Sequence, residues 1–148
     1  MPESAIVRIA VPKESDAERR IALSPQVVKR LRGKHDVAIE RGAGRPAGFT
    51  DDDFAEAGAV VVDDPLPDAD LALVVGPPSA GLPARMPEGS TLVGFLDPFN
   101  TADLVTALAD RQITAFAVEA IPRTTLAQSL VALSSLASAA GDHAVLLA

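Results

Sequence analysis

One stretch near the end of the sequence combines an arginine with the start of a polar helix. Pro122 restricts the backbone where the chain enters this stretch, and Arg123 follows it directly. Thr125 and Gln128 have the spacing of a capping box, in which the hydroxyl accepts a hydrogen bond from the third amide and the Gln128 side chain reaches back. A fixed guanidinium and the serines that follow exceed the polarity that a core helix needs. This excess polarity is compatible with a binding segment.

The same stretch also fits an ordinary capped helix at the protein surface. Its apolar residues recur at three- and four-residue steps and form one stripe: Leu126, Leu130, Leu133 and Ala137. Its clustered serines are Ser134, Ser135 and Ser138. On this interpretation Gln128 only caps the helix, the serines bond to their own helix or face water, and Arg123 is a surface cation. The residue pattern leaves both interpretations open.

The rest of the chain alternates apolar strand-like segments with helical segments. The predicted strands are Ile6–Val11, Val37–Glu40, Ala59–Val62, Leu71–Val75, Thr91–Leu96 and Thr114–Glu119. Helix starts are predicted at Ser24–Pro25, at Thr50 before three aspartates, and at Asn100. This alternation predicts an α/β fold, a Rossmann-like or flavodoxin-like three-layer domain with a mostly parallel sheet and helices on both faces.

Four candidate residues follow the ends of predicted strands. They are Arg20, Gly76, Asp97 and Arg123. Ligands of parallel sheets bind beyond the carboxyl ends of the strands. We therefore expect these four positions to converge on one edge of the sheet.

A glycine motif after the second predicted strand formally matches a dinucleotide fingerprint. The segment Gly42–Ala47 has the required spacing, with alanine in the last position. In a true fingerprint the helix begins inside the motif, whereas here Pro46 and Gly48 intervene before the predicted cap at Thr50. The sequence therefore favours a structural loop over a pyrophosphate site.

Composition limits the classes of function. The chain has 148 residues, 48% of them hydrophobic, a net charge of −7 and no cysteine. These values predict a single globular domain over residues 1–148, without affinity for nucleic acid and without direct insertion into a membrane. The absence of cysteine fits a reducing compartment, and a cytoplasmic location is expected. The two histidines, His35 and His143, have no partners at metal-ligand spacing, so no metal site is expected.

Several of these motifs, taken in order, resemble one known family. The matching segments are Ile9–Glu14, Glu18 with Arg20–Pro25, Glu40–Gly44, Phe49, Phe54 with Ala57–Ala59, Pro122–Arg123, Ala127–Ser129, Leu133–Ser135 and Ala140–Gly141. Together they are similar to the N-terminal domain shared by alanine dehydrogenase and the soluble NAD(H)-binding alpha subunit of proton-translocating NAD(P) transhydrogenase. The resemblance extends from about residue 7 to residue 145.

The resemblance implies hydride transfer between two nicotinamides, with NAD on this subunit and NADP on a partner domain. The residues that place the NAD(H) nicotinamide in this family correspond to Arg123, Gln128 and Ser134, and no catalytic residue is implied. The implied partners are a second, NAD-binding domain or chain, the NADP-binding and membrane subunits, and a second copy in a homodimer. The domain that carries the family's dinucleotide fingerprint is expected to be absent from this sequence. Association with the membrane would be peripheral, through the partner subunits.

Two departures support an alternative. The family has an acid where this chain has Val131, and a second arginine where it has Leu126. Valine can neither orient a guanidinium nor hydrogen-bond a nicotinamide, so the chain also fits a non-catalytic remnant or interaction module of the family.

Alanine dehydrogenase activity is the third hypothesis, and two positions argue against it. In that enzyme the arginine corresponding to Arg20 binds the substrate carboxylate through two parallel hydrogen bonds. The enzyme also needs a lysine where this chain has Gly76 and a catalytic histidine where it has Asp97. The absence of both groups disfavours that activity.

Overall fold

Within residues 5–121 the sheet has six strands, all parallel. The structure, a computed structural model, describes residues 5–121. The strands are β1 (Arg8–Val11), β2 (Asp36–Glu40), β3 (Val60–Val62), β4 (Leu71–Leu73), β5 (Thr91–Gly94) and β6 (Thr114–Ala117). Their order across the sheet is β3-β2-β1-β4-β5-β6. The chain thus builds outward from β1 in one direction and then from β4 in the other, which makes the β1–β4 junction the topological switch point.

The described part of the chain has three α-helices, which connect strands of the sheet. They are α1 (Pro25–Leu31), α2 (Asp51–Ala57) and α3 (Ala102–Asp110), and short 3₁₀ turns lie at Arg45–Ala47, Pro83–Arg85 and Val118–Ala120. This architecture confirms the predicted α/β class, and the sheet within residues 5–121 is parallel throughout. None of the helices in this part of the chain is long and apolar enough to cross a membrane.

The start of α2 has the predicted cap. The Thr50 hydroxyl accepts a hydrogen bond from the Asp53 amide at 3.2 Å, and the Asp53 carboxylate accepts one from the Thr50 amide at 2.7 Å. The helix ends at Gly58, whose φ of 102° is a left-handed conformation that glycine adopts without strain. Local sequence signals therefore determine both ends of α2.

The predicted start of α3 at Asn100 is wrong. The helix begins at Ala102, with Thr101 in the cap position. The Asn100 amide instead donates to both oxygens of the Asp97 carboxylate, at 2.9 and 3.0 Å. Asn100 therefore stabilises the turn before the helix and leaves the helix itself uncapped by a side chain.

Two hydrophobic cores lie on opposite faces of the sheet. The first contains Ala10, Ala72, Val74 and Leu92 of the sheet region, packed with Leu104 and Leu108 of α3. The second contains Ile9, Val11, Val37 and Ile39, packed with Val28 of α1 and Phe54 of α2. Successive residues of a strand point to opposite faces, so in β1 the Ala10 side chain packs in the first core and its neighbours Ile9 and Val11 pack in the second.

The second face is covered unevenly. Helices α1 and α2 lie over β1 to β3, whereas Phe116 of β6 remains 59% exposed. This uneven cover leaves a cavity beside β4 and β5. The predicted ligand-placing residues Arg123, Gln128 and Ser134, with Leu126 and Val131, lie outside the described residues and remain predictions.

Candidate functional site

A cavity of about 430 Å³ lies at the carboxyl edge of the sheet. Its walls come from the β1–α1 loop, the ends of β4 and β5, and the turn after β6: Arg20, Ile21, Ala22, Leu73, Val74, Val75, Val93, Gly94, Phe95 and Val118. Among the described residues that line it, Arg20 alone is ionisable. The cavity therefore offers an apolar surface with one cationic side chain at its margin.

Gly94 allows β4 and β5 to approach each other at the cavity wall. A Cβ atom at this position would lie 2.4 Å from the Val74 carbonyl oxygen and 2.5 Å from the Val74 Cγ2 atom. Those distances are well inside van der Waals contact, so any larger residue would push the two strands apart. The shape of the cavity thus depends on the absence of this side chain.

Arg20 is held in place by Glu18. The Glu18 carboxylate accepts hydrogen bonds from the Arg20 Nε at 2.8 Å, from its Nη2 at 2.7 Å and from its backbone amide at 2.9 Å. Hydrogen bonding from Arg20 lowers the pKa of Glu18 to about 2, and the same contact raises the pKa of Arg20. The guanidinium is therefore oriented, but one full edge of it is already engaged.

Glu14 joins the β1–α1 loop to the end of β4. Its carboxylate accepts hydrogen bonds from the Val75 amide at 2.6 Å and the Gly76 amide at 3.1 Å. Burial raises the pKa of Glu14, and the two amide hydrogen bonds oppose that effect. Because these amides bond to a side chain, β4 ends at Leu73 and not at the predicted Val75.

Gly76 faces both carboxylates. A Cβ atom there would lie 3.7 Å from Glu14 Oε2 and 4.0 Å from Glu18 Oε2. The position therefore has open space bordered by two acids. This places Arg20 and Gly76 in one neighbourhood, as the sequence predicted.

Asp97 occupies a constrained turn at the end of the β5 segment. Its φ of 46° lies in the left-handed region, which costs a non-glycine residue about 1–2 kcal/mol. The Asp97 amide donates to the Glu119 carboxylate, and the Thr101 hydroxyl donates to the Leu96 carbonyl at 2.8 Å. Both oxygens of the Asp97 carboxylate also accept hydrogen bonds from the Asn100 side chain, so side chains as well as backbone stabilise this turn.

Glu119 follows β6 in sequence and was not identified as a site residue from sequence. One of its oxygens accepts the Asp97 amide, and the other is buried without a hydrogen-bond partner within residues 5–121. Glu14 was also missed as a contact residue. The available signal was an acid at or just after the end of a predicted strand: Glu14 follows the strand Ile6–Val11, and Glu119 is the last residue of the strand Thr114–Glu119.

The glycine motif has a structural role in this fold. A Cβ atom at Gly44 would lie 2.4 Å from the Phe54 ring, and the Gly42 amide donates to Asp51 at 2.7 Å. Helix α2 begins at Asp51, after the motif has ended. Within residues 5–121 the structure also shows no group of three His, Asp or Glu residues arranged to hold a metal ion.

The family model and the related proteins that match this chain all belong to one family. The family model for the N-terminal domain of alanine dehydrogenase and PNT matches residues 10–140. An NAD(P) transhydrogenase alpha-subunit chain of Rhodospirillum rubrum is 39% identical over 150 residues, covering 95% of this chain and 39% of that protein. Alanine dehydrogenase of Halomonas elongata is 38% identical over 144 residues, covering 94% of this chain and 38% of that protein.

A solved structure agrees with these sequence matches. The structure of transhydrogenase from Sinorhizobium meliloti superposes with a TM-score of 0.86 at 37% identity, covering 94% of this chain and 43% of that one. The chain thus spans less than half the length of the relatives it matches.

Proposed function

The chain belongs to the family of alanine dehydrogenase/PNT N-terminal domains, and from this we propose that it forms part of the NAD(H)-binding subunit of a proton-translocating transhydrogenase. In that role it places the nicotinamide of NAD(H) for hydride transfer to NADP⁺ on a partner domain. The observation that carries the proposal is the apolar cavity at the carboxyl edge, with the oriented Arg20 at its margin.

The cavity has properties that suit a nicotinamide. The ring is planar and largely apolar, and its carboxamide needs a small number of polar partners, a combination that matches an apolar pocket with one fixed guanidinium. The cavity also lies where open parallel sheets bind ligands, at the carboxyl ends beside the switch between β1 and β4. Bound NADH supplies the hydride, and this chain contributes placement.

The described residues favour transhydrogenation over alanine dehydrogenation. Direct transfer between two nicotinamides needs no protein acid or base, whereas alanine dehydrogenase needs a lysine and a catalytic histidine where this chain has Gly76 and Asp97. Asp97 is engaged by Asn100, Gly76 has no side chain, and Arg20 is paired with Glu18. An amino-acid dehydrogenase would need a free cation for the substrate carboxylate and a proton donor at these positions.

Arg123, Gln128 and Ser134 are proposed as the nicotinamide-placing residues. Arg123 would bond the carboxamide or a phosphate, Gln128 would contact the dinucleotide or the partner domain, and Ser134 would hold the carboxamide. Arg123 follows the cavity residue Val118 by only a short length of chain, which spans at most about 18 Å when extended. The sequence therefore keeps Arg123 within reach of the cavity.

The proposed partners follow from the same role. They are a second, NAD-binding domain or chain, an NADP-binding subunit, a membrane subunit and a second copy in a homodimer. The relatives extend well beyond the region that this chain matches, which leaves room for such domains. Contact with the membrane would be indirect, through those subunits.

NADH titration followed by nicotinamide fluorescence tests the proposal. The chain has no tryptophan or tyrosine, so background emission is low. The titration is run on the chain alone and on the chain mixed with the remainder of a transhydrogenase alpha subunit. We expect saturable binding that Arg123→Ala weakens about 10- to 100-fold, because a charge-assisted hydrogen bond is lost. Arg30→Ala, an exposed arginine of α1 with no described hydrogen bond, should leave the binding unchanged.

A non-catalytic module is the second candidate, favoured by Val131 and Leu126. It would bind the remainder of the subunit but give no NADH-dependent reduction of an NADP⁺ analogue when the NADP-binding subunit is added. Restoration of the acid by Val131→Asp, with turnover then appearing, would assign the present chain to this class. Equal NADH affinity in wild type and Arg123→Ala would contradict the placing role itself.

A further inference from the structure

A second concave region lies at the amino ends of β1, β2 and β3, away from the cavity. This acidic groove has a volume of about 400 Å³ and is formed mainly by Arg8, Asp36, Ala38, Val60, Pro65 and Asp68. Arg8 pairs in register with Asp36, and Ala38 with Val60, so the four share one face of the sheet. That face is the one opposite α1 and α2.

The groove exists because the connection from β3 to β4 crosses this face without a helix. Residues 63–70 make the crossing, and Leu66 and Ala69 are buried in the first hydrophobic core. The connection covers β1 but leaves part of β2 and β3 open. Val60, on the edge strand β3, is 63% exposed as a result.

The floor and the rim of the groove differ in chemistry. Ala38 and Val60 form an apolar floor, and the buried Pro65 forms part of a wall. The rim carries Arg8, Asp36 and Asp68, and a third carboxylate, Asp70, lies beside Arg8 outside the groove lining. A single apolar side chain with charged neighbours would match this arrangement.

One of the three carboxylates neutralises Arg8. The Asp70 carboxylate accepts hydrogen bonds from the Arg8 backbone amide at 2.9 Å and from its guanidinium at 3.3 Å. Asp70 is the main cause of the raised pKa of Arg8, and Asp68 and Asp36 add to it because both lie near the guanidinium. Within residues 5–121, neither the Asp36 nor the Asp68 side-chain carboxylate accepts a hydrogen bond or forms an ion pair. The rim is therefore negatively charged beyond what Arg8 balances.

We propose that the acidic groove docks a basic segment of a partner protein. An apolar side chain of that segment would lie on Ala38 and Val60, and flanking lysines or arginines would face Asp36 and Asp68. The charge of the rim selects this occupant. A second copy of the chain, joined through the same groove by a twofold axis, would bring like carboxylates together. Anionic surfaces and nucleic acids would be repelled by the same charges.

A labelled peptide tests the groove in the full chain. The probe is a short fluorescein-labelled peptide of alternating lysine and leucine with blocked ends, measured by anisotropy at low and physiological salt. The matched peptide has glutamate in place of lysine. We expect binding of the lysine peptide alone, with an affinity that falls as salt is raised.

Charge-matched variants locate the site. Asp36→Asn with Asp68→Asn should weaken the lysine peptide about 2- to 10-fold, the range for two partly exposed ion pairs. Asp52→Asn with Asp110→Asn removes the same charge from exposed positions of α2 and α3 and should leave the affinity within about 1.5-fold of wild type once general screening is taken into account. Val60→Ser should weaken binding while the net charge stays constant.

Three outcomes would overturn the proposal. The first is an equal loss of peptide affinity in the two double variants that remove charge, which would show a general charge effect. The second is peptide-induced NMR shifts that map away from Ala38 and Val60. The third is a concentration-dependent dimer that Val60→Ser abolishes, because the groove would then be covered by a second copy.

Discussion

The carboxyl and amino edges of the sheet differ in whether their acidic side chains have hydrogen-bond partners. At the carboxyl edge, Glu18 is paired with Arg20, Glu14 with backbone amides, and Asp97 with Asn100. At the amino edge, Asp36 and Asp68 line the acidic groove, and their carboxylates have no hydrogen-bond partner in the described part of the chain. A site that must place a small ring benefits from fixed groups, because little ordering remains to be done on binding. A docking surface tolerates free charges, since they attract the partner and adapt to it.

The carboxyl edge should be the more sensitive of the two to added volume, and Gly94→Ala gives the largest expected effect. The new Cβ atom would overlap the Val74 backbone, which strand repositioning must relieve at about 1–3 kcal/mol or more of unfolding free energy. Chemical denaturation measures this loss. Gly81→Ala is the control, since its Cβ would meet only the Ser79 hydroxyl at 3.8 Å. A Gly94→Ala protein as stable as wild type would show that the strands are not closely packed there.

Removing the carboxylate that joins β1 to β4 should have the next largest effect. Glu14→Ala leaves the Val75 and Gly76 amides without their acceptor, at a cost of about 1–3 kcal/mol in unfolding free energy. Asp16→Ala, in the same loop and without a described contact, should change the stability by less than about 0.5 kcal/mol. Equal stability of the two variants would mean that water replaces Glu14 without cost.

The Glu18–Arg20 pair predicts a smaller, pH-dependent effect. The pKa of Glu18 is lowered from 4.5 to about 2, so its contribution is complete above pH 4.5 and is lost as the pH falls towards 2. Both side chains are partly exposed, so we expect about 0.5–1 kcal/mol. The raised pKa of Glu14 acts in the opposite direction, with stability falling as the pH rises through its folded-state value.

The measurement for this pair is a difference between two proteins. Unfolding free energies of wild type and Glu18→Gln are compared between pH 6 and pH 2. The part of the Glu14 contribution that comes from burial and from its amide hydrogen bonds cancels, and the part that comes from the Glu18 charge stays in the difference. The wild-type advantage should shrink across the acid range. A constant difference at every pH would show that the pair contributes through geometry and not through charge.

The smallest expected effect comes from Gly76→Lys. The new side chain would enter the space bordered by Glu14 and Glu18, and Gly76 has no positive φ that would oppose it. We expect a change in stability within about 1 kcal/mol and no pyruvate-dependent NADH oxidation, because Asp97 still stands where alanine dehydrogenases have a catalytic histidine. Appearance of that oxidation would favour the alanine dehydrogenase hypothesis.

The sequence predicted those features that depend on neighbouring residues. The cap at Thr50 involves contacts within one turn, and it was confirmed. The strand pattern also placed Arg20 and Gly76 at one edge, because parallel strands bring their carboxyl ends together. These features follow from periodicity and local hydrogen bonding alone.

The features that the sequence did not predict depend on distant partners or on competition. Glu14 contacts Val75 across 61 residues, and Glu119 contacts Asp97 across 22, and no local pattern encodes either pairing. Asn100 had two possible roles, and the Asp97 carboxylate competed successfully for its amide. The binding roles of Arg123, Gln128 and Ser134 remain predictions.

The β1–β4 junction has a consequence for how the sheet assembles. β1 and β4 share a short register, Ile9 with Leu71 and Ala10 with Ala72, although these partners are distant in sequence. Side-chain carboxylates stabilise both ends of this seam between β1 and β4. Asp70 accepts a hydrogen bond from the Arg8 amide at one end, and Glu14 accepts hydrogen bonds from the Val75 and Gly76 amides at the other. Contacts between distant segments form slowly because a long loop must close first. We therefore expect two half-sheets to fold early, and the seam between them to close last and to exchange its amide hydrogens soonest.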